Sequence, residues 1–148
     1  MINNNVWKIL EEENKNFPEE KCDNATDQDI GLAEQDLGLS FSDGYKYFLK
    51  NHQCNSIGEL NFYPIPKNNV PTNNYTVVQA TKRFKNQENW PDIEDWYVVS
   101  NNGSGDPIGI KPNGEVWISY HDSGFEQEKL ADDFEEFVYK LLTETLWG

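Results

Sequence analysis

The spacing of apolar residues changes twice along this chain, and that change narrows what it can fold into more than any other feature. Up to about residue 52 they recur every three or four positions. From about residue 95 they alternate or run together, and near the end the helical spacing returns. Val6, Ile9 and Leu10, with Trp7 beside them, predict an amphipathic helix to about Asn16, with Glu11-Glu12-Glu13 on its polar side and a break at Phe17-Pro18. Thr26 and Asp29 form a weak capping box for a second helix, whose stripe of Ile30, Ala33 and Leu37 stops at Gly38. Ser42 is placed to cap a third, with Tyr45, Phe48 and Leu49 on one face.

Leu60, Phe62 and Tyr63-Pro64-Ile65 then read as the end of a first strand, followed by an Asn-rich loop from Lys67 to Asn74. Val77, Thr81 and Phe84 have helical spacing in a segment rich in β-branched residues, and Lys82, Arg83 and Lys85 make its outer face basic. Trp96-Tyr97-Val98-Val99 is apolar on both faces, as a central strand is. Ile108 with Ile110, and Val116 with Ile118 and Tyr120, each mark a strand, and Pro112-Asn113-Gly114 between them is a hairpin turn. Leu130, Phe134, Phe137, Val138, Leu141 and Leu142 predict a closing helix capped by Asp132 or Asp133.

A chain of 148 residues suits one domain, 1–148, with a real core, and its five Trp, seven Tyr and eight Phe argue against disorder. Twelve basic against 26 acidic residues give a formal charge of −14, acidic at both ends around a mildly basic middle. Such a chain repels nucleic acid and anionic membrane and attracts basic surfaces. The start, MINNNVWKILEEEN, has no basic n-region with an apolar run, and no stretch approaches the roughly twenty apolar residues that span a bilayer, so a cytoplasmic protein is expected. Cys22 and Cys54 are then read as free thiols, and the sequons at Asn24, Asn74 and Asn102 as chance matches.

The stretch NNGSGDPIGIKPNGEVWISYHD, residues 101–122, concentrates glycines, acids and a histidine. Gly103-x-Gly105 leads to a strand instead of a helix and Asp106 would repel a phosphate, so the glycines read as the positive-φ residues of a turn between antiparallel strands. Asp106, His121 and Asp122 carry metal-ligand chemistry without metal-ligand spacing, and His52-Gln53-Cys54 pairs a thiol with an imidazole on neighbouring positions that seldom converge. No catalytic constellation, cofactor motif or metal motif emerges.

The three-part pattern resembles the SUKH superfamily of immunity proteins and cell-wall regulators. TDQDIGLAEQDLGLSFSDGYKYFL, residues 26–49, is similar to its helical opening, with Glu34, Leu37-Gly38, Phe41-Ser42, Tyr45 and Phe48-Leu49 on the motif positions. Gly103-Ser104-Gly105-Asp106, Gly114-Glu115-Val116-Trp117, His121-Asp122 and Asp133-Phe134-Glu135-Glu136-Phe137 continue the likeness, which covers about residues 5–142. Ser42 replaces a usual proline, and Gln53-Cys54-Asn55 stands where the family often has Asn-Gly-Gly. The resemblance implies an α+β fold, helices packed on a mainly antiparallel sheet. It also implies a bacterial immunity protein that neutralises a cognate polymorphic toxin, frequently a nuclease.

An acidic inhibitor fits a nuclease that must present a basic groove to phosphates. The expected contacts with a basic toxin domain are Asp92, Glu94, Asp95 and Trp96 before the central strand, and Asp106, Glu115, Trp117 and Asp122 around the sheet. Each has a structural alternative: core for the tryptophans, turn acceptor for Asp106, solubilising charge for the rest. Two other readings stay open, an intracellular scaffold or regulatory module, and a small hydrolase using Asp106, His121 and Asp122.

Overall fold

The computed structural model describes residues 4–16, 24–53, 56–66 and 76–147. The Phe17-Pro18 break, Cys22, Cys54 and the loop from Lys67 to Asn74 lie outside those residues. Among the described residues, five α-helices and two antiparallel sheets make an α+β fold. Three helices come first, α1 (Asn4–Asn16), α2 (Asp27–Leu37) and α3 (Asp43–Asn51). The Thr26–Asp29 capping box forms in both directions, and Gly38 closes α2 in the left-handed conformation at φ 67°. Ser42 occupies the N-cap of α3, but its side chain makes no capping bond. Its backbone N–H is instead drawn to Tyr97 Oη at 2.8 Å, which ties the helical layer to the sheet. Burial pushes the Tyr97 phenol up to about 12, so it stays protonated.

A small hairpin, β1 (Ser56–Ile57) and β2 (Leu60–Asn61), precedes α4 (Val77–Lys82). The strand expected around Leu60 is thus the second arm of a hairpin turning at Gly58-Glu59. α4 resolves its conflict of propensities through a capping box between Thr76 and Gln79, and continues into a π-helical turn, Arg83–Gln87. The basic residues of this segment are engaged by the chain itself: Lys82 pairs with Asp36 at 2.6 Å, and Arg83 with Glu88 at 3.2 Å.

The main sheet runs in the order β3 (Tyr97–Asn101), β4 (Pro107–Ile110), β5 (Val116–Tyr120), β6 (Glu126–Ala131), all antiparallel, and α5 (Phe134–Leu142) closes the chain. Gly103 and Gly105 hold φ of 87° and 90° between β3 and β4, and Gly114 holds 90° in the β4–β5 turn, as their turns require. Two expectations change here. Leu130, read as the start of the last helix, belongs to β6, and Asp133 caps α5 by accepting from the Glu136 N–H. β3 is buried on both faces without being central: its outer edge meets Phe62 and Tyr63, and Thr81 Oγ1 accepts from Val98 N at 2.8 Å.

One face of this sheet carries the core. Tyr97, Val99, Ile108, Ile110, Val116 and Ile118 pack under Tyr45 and Phe48 of α3 and Phe134, Phe137 and Val138 of α5, with Val6, Trp7 and Leu10 of α1 behind them. Phe134 sits among aromatic neighbours, with ring centres 5.2 Å from Tyr45 and 5.1 Å from Phe48.

Candidate functional site

The opposite face of the sheet carries the acidic residues singled out above. Val98, Gly109, Trp117 and Ser119 face that way, since pleating sends alternate residues there. The segment from Arg83 to Trp96 crosses this face, burying Phe84, Ile93 and Trp96 against Val98. Gly109 makes that crossing possible, for a Cβ there would lie 2.6 Å from the Trp96 ring. Trp90 closes the cluster at its rim. Its Nε1 donates to Ser119 Oγ at 2.8 Å, and its ring meets Phe84 edge-on at 5.4 Å and Phe125 at 5.1 Å.

The backbone around Trp90 is unusual. Asn89, Asp92 and Phe125 hold positive φ of 50°, 61° and 65°. Asn and Asp tolerate that region through their short polar side chains, whereas a Phe is a genuine outlier there. Gln127 Nε2 donates to the Asp92 carbonyl at 2.8 Å, and Lys85 Nζ to the Glu94 carbonyl at 2.9 Å, so the acidic loop is pinned at both ends. Burial lowers the Lys85 pKa against the opposing pull of Asp95 and Glu94.

Asp106 and His121 join the two turns beside this cluster. The Asp106 carboxylate is buried; it accepts from Asn102 Nδ2 at 2.9 Å, from His121 N at 3.1 Å, and pairs with His121 Nδ1. His121 Nε2 lies 3.1 Å from Asp122. Burial alone would raise the Asp106 pKa, but the hydrogen bonds from His121 and Asn102 outweigh it and lower it. His121 is raised, first by the hydrogen bond to Asp106. A carboxylate thus stands at each ring nitrogen, Asp106 buried and Asp122 exposed, and a protonated imidazole donates to both. Among the described residues no group of three or more His, Cys, Asp or Glu side chains is placed to hold a metal ion. His52, the other histidine, is buried and stacks on Trp7 with ring centres 5.1 Å apart.

The residues expected to meet a partner therefore separate. Asp92, Glu94, Asp95 and Asp122 are exposed, and Asp122 pairs with His121, whose ring lies 6.1 Å from Trp90. Trp96 and Asp106 are not: Trp96 is fully buried over Gly109, and Asp106 spends its carboxylate on the two turns. Both take the structural role, core and turn acceptor, instead of presenting side chains to a partner. Glu115 and Trp117 form a half-buried pair, Trp117 Nε1 donating to Glu115 Oε1 at 3.0 Å, with Lys111 Nζ 4.0 Å from the Trp117 ring centre and Lys129 3.6 Å from Glu115. That hydrogen bond from Trp117 is the first cause of Glu115's lowered pKa. The sequence reading missed Trp90 and Phe125. The available signal was a large aromatic directly after a turn glycine, Gly124-Phe125, in an otherwise polar run.

A family model described as SMI1-KNR4 cell-wall matches residues 2–143, nearly the whole chain. No curated protein matches it at a significant level. No helix among the described residues is long and apolar enough to cross a membrane.

Proposed function

This chain belongs to the SMI1-KNR4 cell-wall family, and from that premise we propose that it is a non-enzymatic immunity protein that binds and neutralises a basic toxin domain, in keeping with the SUKH resemblance. The observation that supports this reading best is that the carboxylates of Asp92, Glu94, Asp95 and Asp122 are exposed on the side of the molecule that also leaves the Trp90–Phe125 pair partly in water. Exposed carboxylates steer a cationic partner, and the aromatics supply the desolvated contact that charge alone does not.

The experiment is co-purification with the product of the adjoining reading frame, followed by association kinetics at two salt concentrations. Steered association is expected to slow on the order of tenfold or more between 50 mM and 500 mM salt, while dissociation changes little. A complex whose formation ignores salt removes the electrostatic reading. The family's description favours a second reading, a scaffold or regulatory module in cell-wall synthesis, for which a gene standing apart from any toxin gene is the expected context.

A further inference from the structure

Nothing in the core requires a phenylalanine at position 125. Gly124 and Phe125 hold consecutive left-handed backbone conformations, φ 67° and 65°. Glycine and asparagine adopt that conformation readily, whereas a bulky side chain is strained in it. The strained turn nonetheless keeps the Phe125 ring 42% exposed and edge-on to Trp90, at 85°. Trp90 is fixed from behind by Ser119 and Phe84, so the pair is a rigid apolar projection with one side in water.

Its surroundings say what it fits. Gln127 holds the backbone carbonyl of the exposed Asp92, two residues from Trp90, and His121, whose ring lies 6.1 Å from Trp90, pairs with Asp122. On the same face, Trp117 carries Lys111 over its ring at 4.0 Å. Among the described residues no lysine or arginine lies over Trp90 or Phe125; the imidazole of His121 meets Trp90 edge-on, at 74°. An aromatic surface flanked by carboxylates is complementary to a planar cation, because the guanidinium stacks on the ring while its N–H groups reach the acids.

We propose that the Trp90–Phe125 pair is the anchor of the docking surface, and that its occupant is an arginine-bearing loop of a cationic protein, held between the rings and the carboxylates of Asp92 and Asp122. This rests on the reading that the partner is a basic protein domain, and it adds where that domain is gripped and by which side chain. The turn accepts backbone strain to hold a ring at the surface, and the return on that strain is binding energy.

The test is Phe125→Gly, which relieves the backbone as it removes the ring. Its melting temperature is expected to equal or exceed that of the parent; a fall of several degrees makes the ring a structural cover for Trp90 and overturns the proposal. Binding is read by NMR titration with the peptide Ac-Ala-Gly-Arg-Gly-Ala-NH2 and its citrulline counterpart. The arginine peptide is expected to shift the Trp90 indole and Phe125 ring resonances, the citrulline peptide to leave them in place, and Phe125→Gly to abolish the Trp90 shift. Shifts of equal size on the acidic faces of α1 and α5 mean diffuse charge attraction and overturn the anchor. Against the product of the adjoining reading frame, Phe125→Gly is expected to weaken binding by at least about tenfold. If that product binds and the variant does not weaken it, the anchor fails and the immunity reading stands. If it does not bind while the peptide still maps to Trp90, the immunity reading fails and the anchor stands.

Discussion

The two faces of the four-stranded sheet are packed to different ends. The face under α3 and α5 is closed: Tyr45, Phe48, Phe134 and Phe137 meet six buried side chains of the sheet. The other face is crossed by the segment from Arg83 to Trp96, with Tyr63 at its edge, and its cluster among the described residues has four buried members, Phe84, Ile93, Trp96 and Val98. Toward β6 that cover runs out, leaving Trp90, Trp117 and Phe125 partly in water among exposed acids. The closed face holds the fold by burial, whereas the open face is held by single directed contacts, an indole N–H, a lysine Nζ, a glutamine amide. A face organised that way is rigid without being sealed, which is what a docking surface needs.

The comparison breaks most easily at Phe134. Phe134→Ala removes a fully buried ring from among Tyr45, Phe48, Phe62 and Phe137, and should destabilise the protein by about 3–5 kcal/mol. A urea melt that shifts by less than about 1 kcal/mol would mean the closed face tolerates loss as the open one does. On the open face the corresponding change is an addition. Gly109→Ala places a methyl 2.6 Å from the Trp96 ring, with nowhere for a fully buried indole to go, and should cost about 1–3 kcal/mol. Because the damage lies above the sheet, intrinsic fluorescence from the tryptophans should change while far-ultraviolet circular dichroism stays native. A loss of secondary structure would show instead that the two faces do not yield separately.

The closed face was legible in the sequence because its residues repeat. Ile30 with Ala33, Tyr45 with Phe48, and Phe134 with Phe137 and Val138 each lie on one side of a helix, and burial follows that spacing. β6 was hidden because EQEKLA shows apolar residues only at its last two positions, and Leu130 fits the helical stripe four residues before Phe134. The β1–β2 hairpin escaped because a strand of two residues has no period to read. On the open face the roles depend on contacts distant in sequence. Trp96 is buried because Gly109 leaves room for it, and Asp106 is consumed because His121 returns beside it fifteen residues later. Of the acids expected to meet a partner, Asp92, Glu94, Asp95 and Asp122 lie exposed as a partner contact requires, but the aromatic pair that gathers them was not visible as a pattern.

The smallest expected effect distinguishes the faces by pH. On the closed side His52 is buried against Trp7, whereas the open face is laced to its turns by the exposed His121 with Asp106. The raised His121 pKa contributes stability that is fully present below its ordinary value of 6.5 and is lost as pH rises through the folded value. The lowered Asp106 pKa contributes stability present above its ordinary 3.8 and lost as pH falls through the folded value. The pair is therefore strongest between those limits. His121 is largely exposed and screened by solvent, so the gain is modest. An NMR titration of the imidazole should show the raised pKa, and Asp106→Asn should return it toward 6.5. The melting-temperature gap between parent and variant should be widest near pH 5–6, the window set by those two shifts, and should narrow toward pH 8. It should not vanish there, because the His121 backbone N–H still donates to the Asp106 carboxylate when the ring is neutral. A gap that is constant from pH 5 to pH 8 would mean the latch is held by the backbone and amide hydrogen bonds to the Asp106 carboxylate alone, with no share from the imidazolium charge.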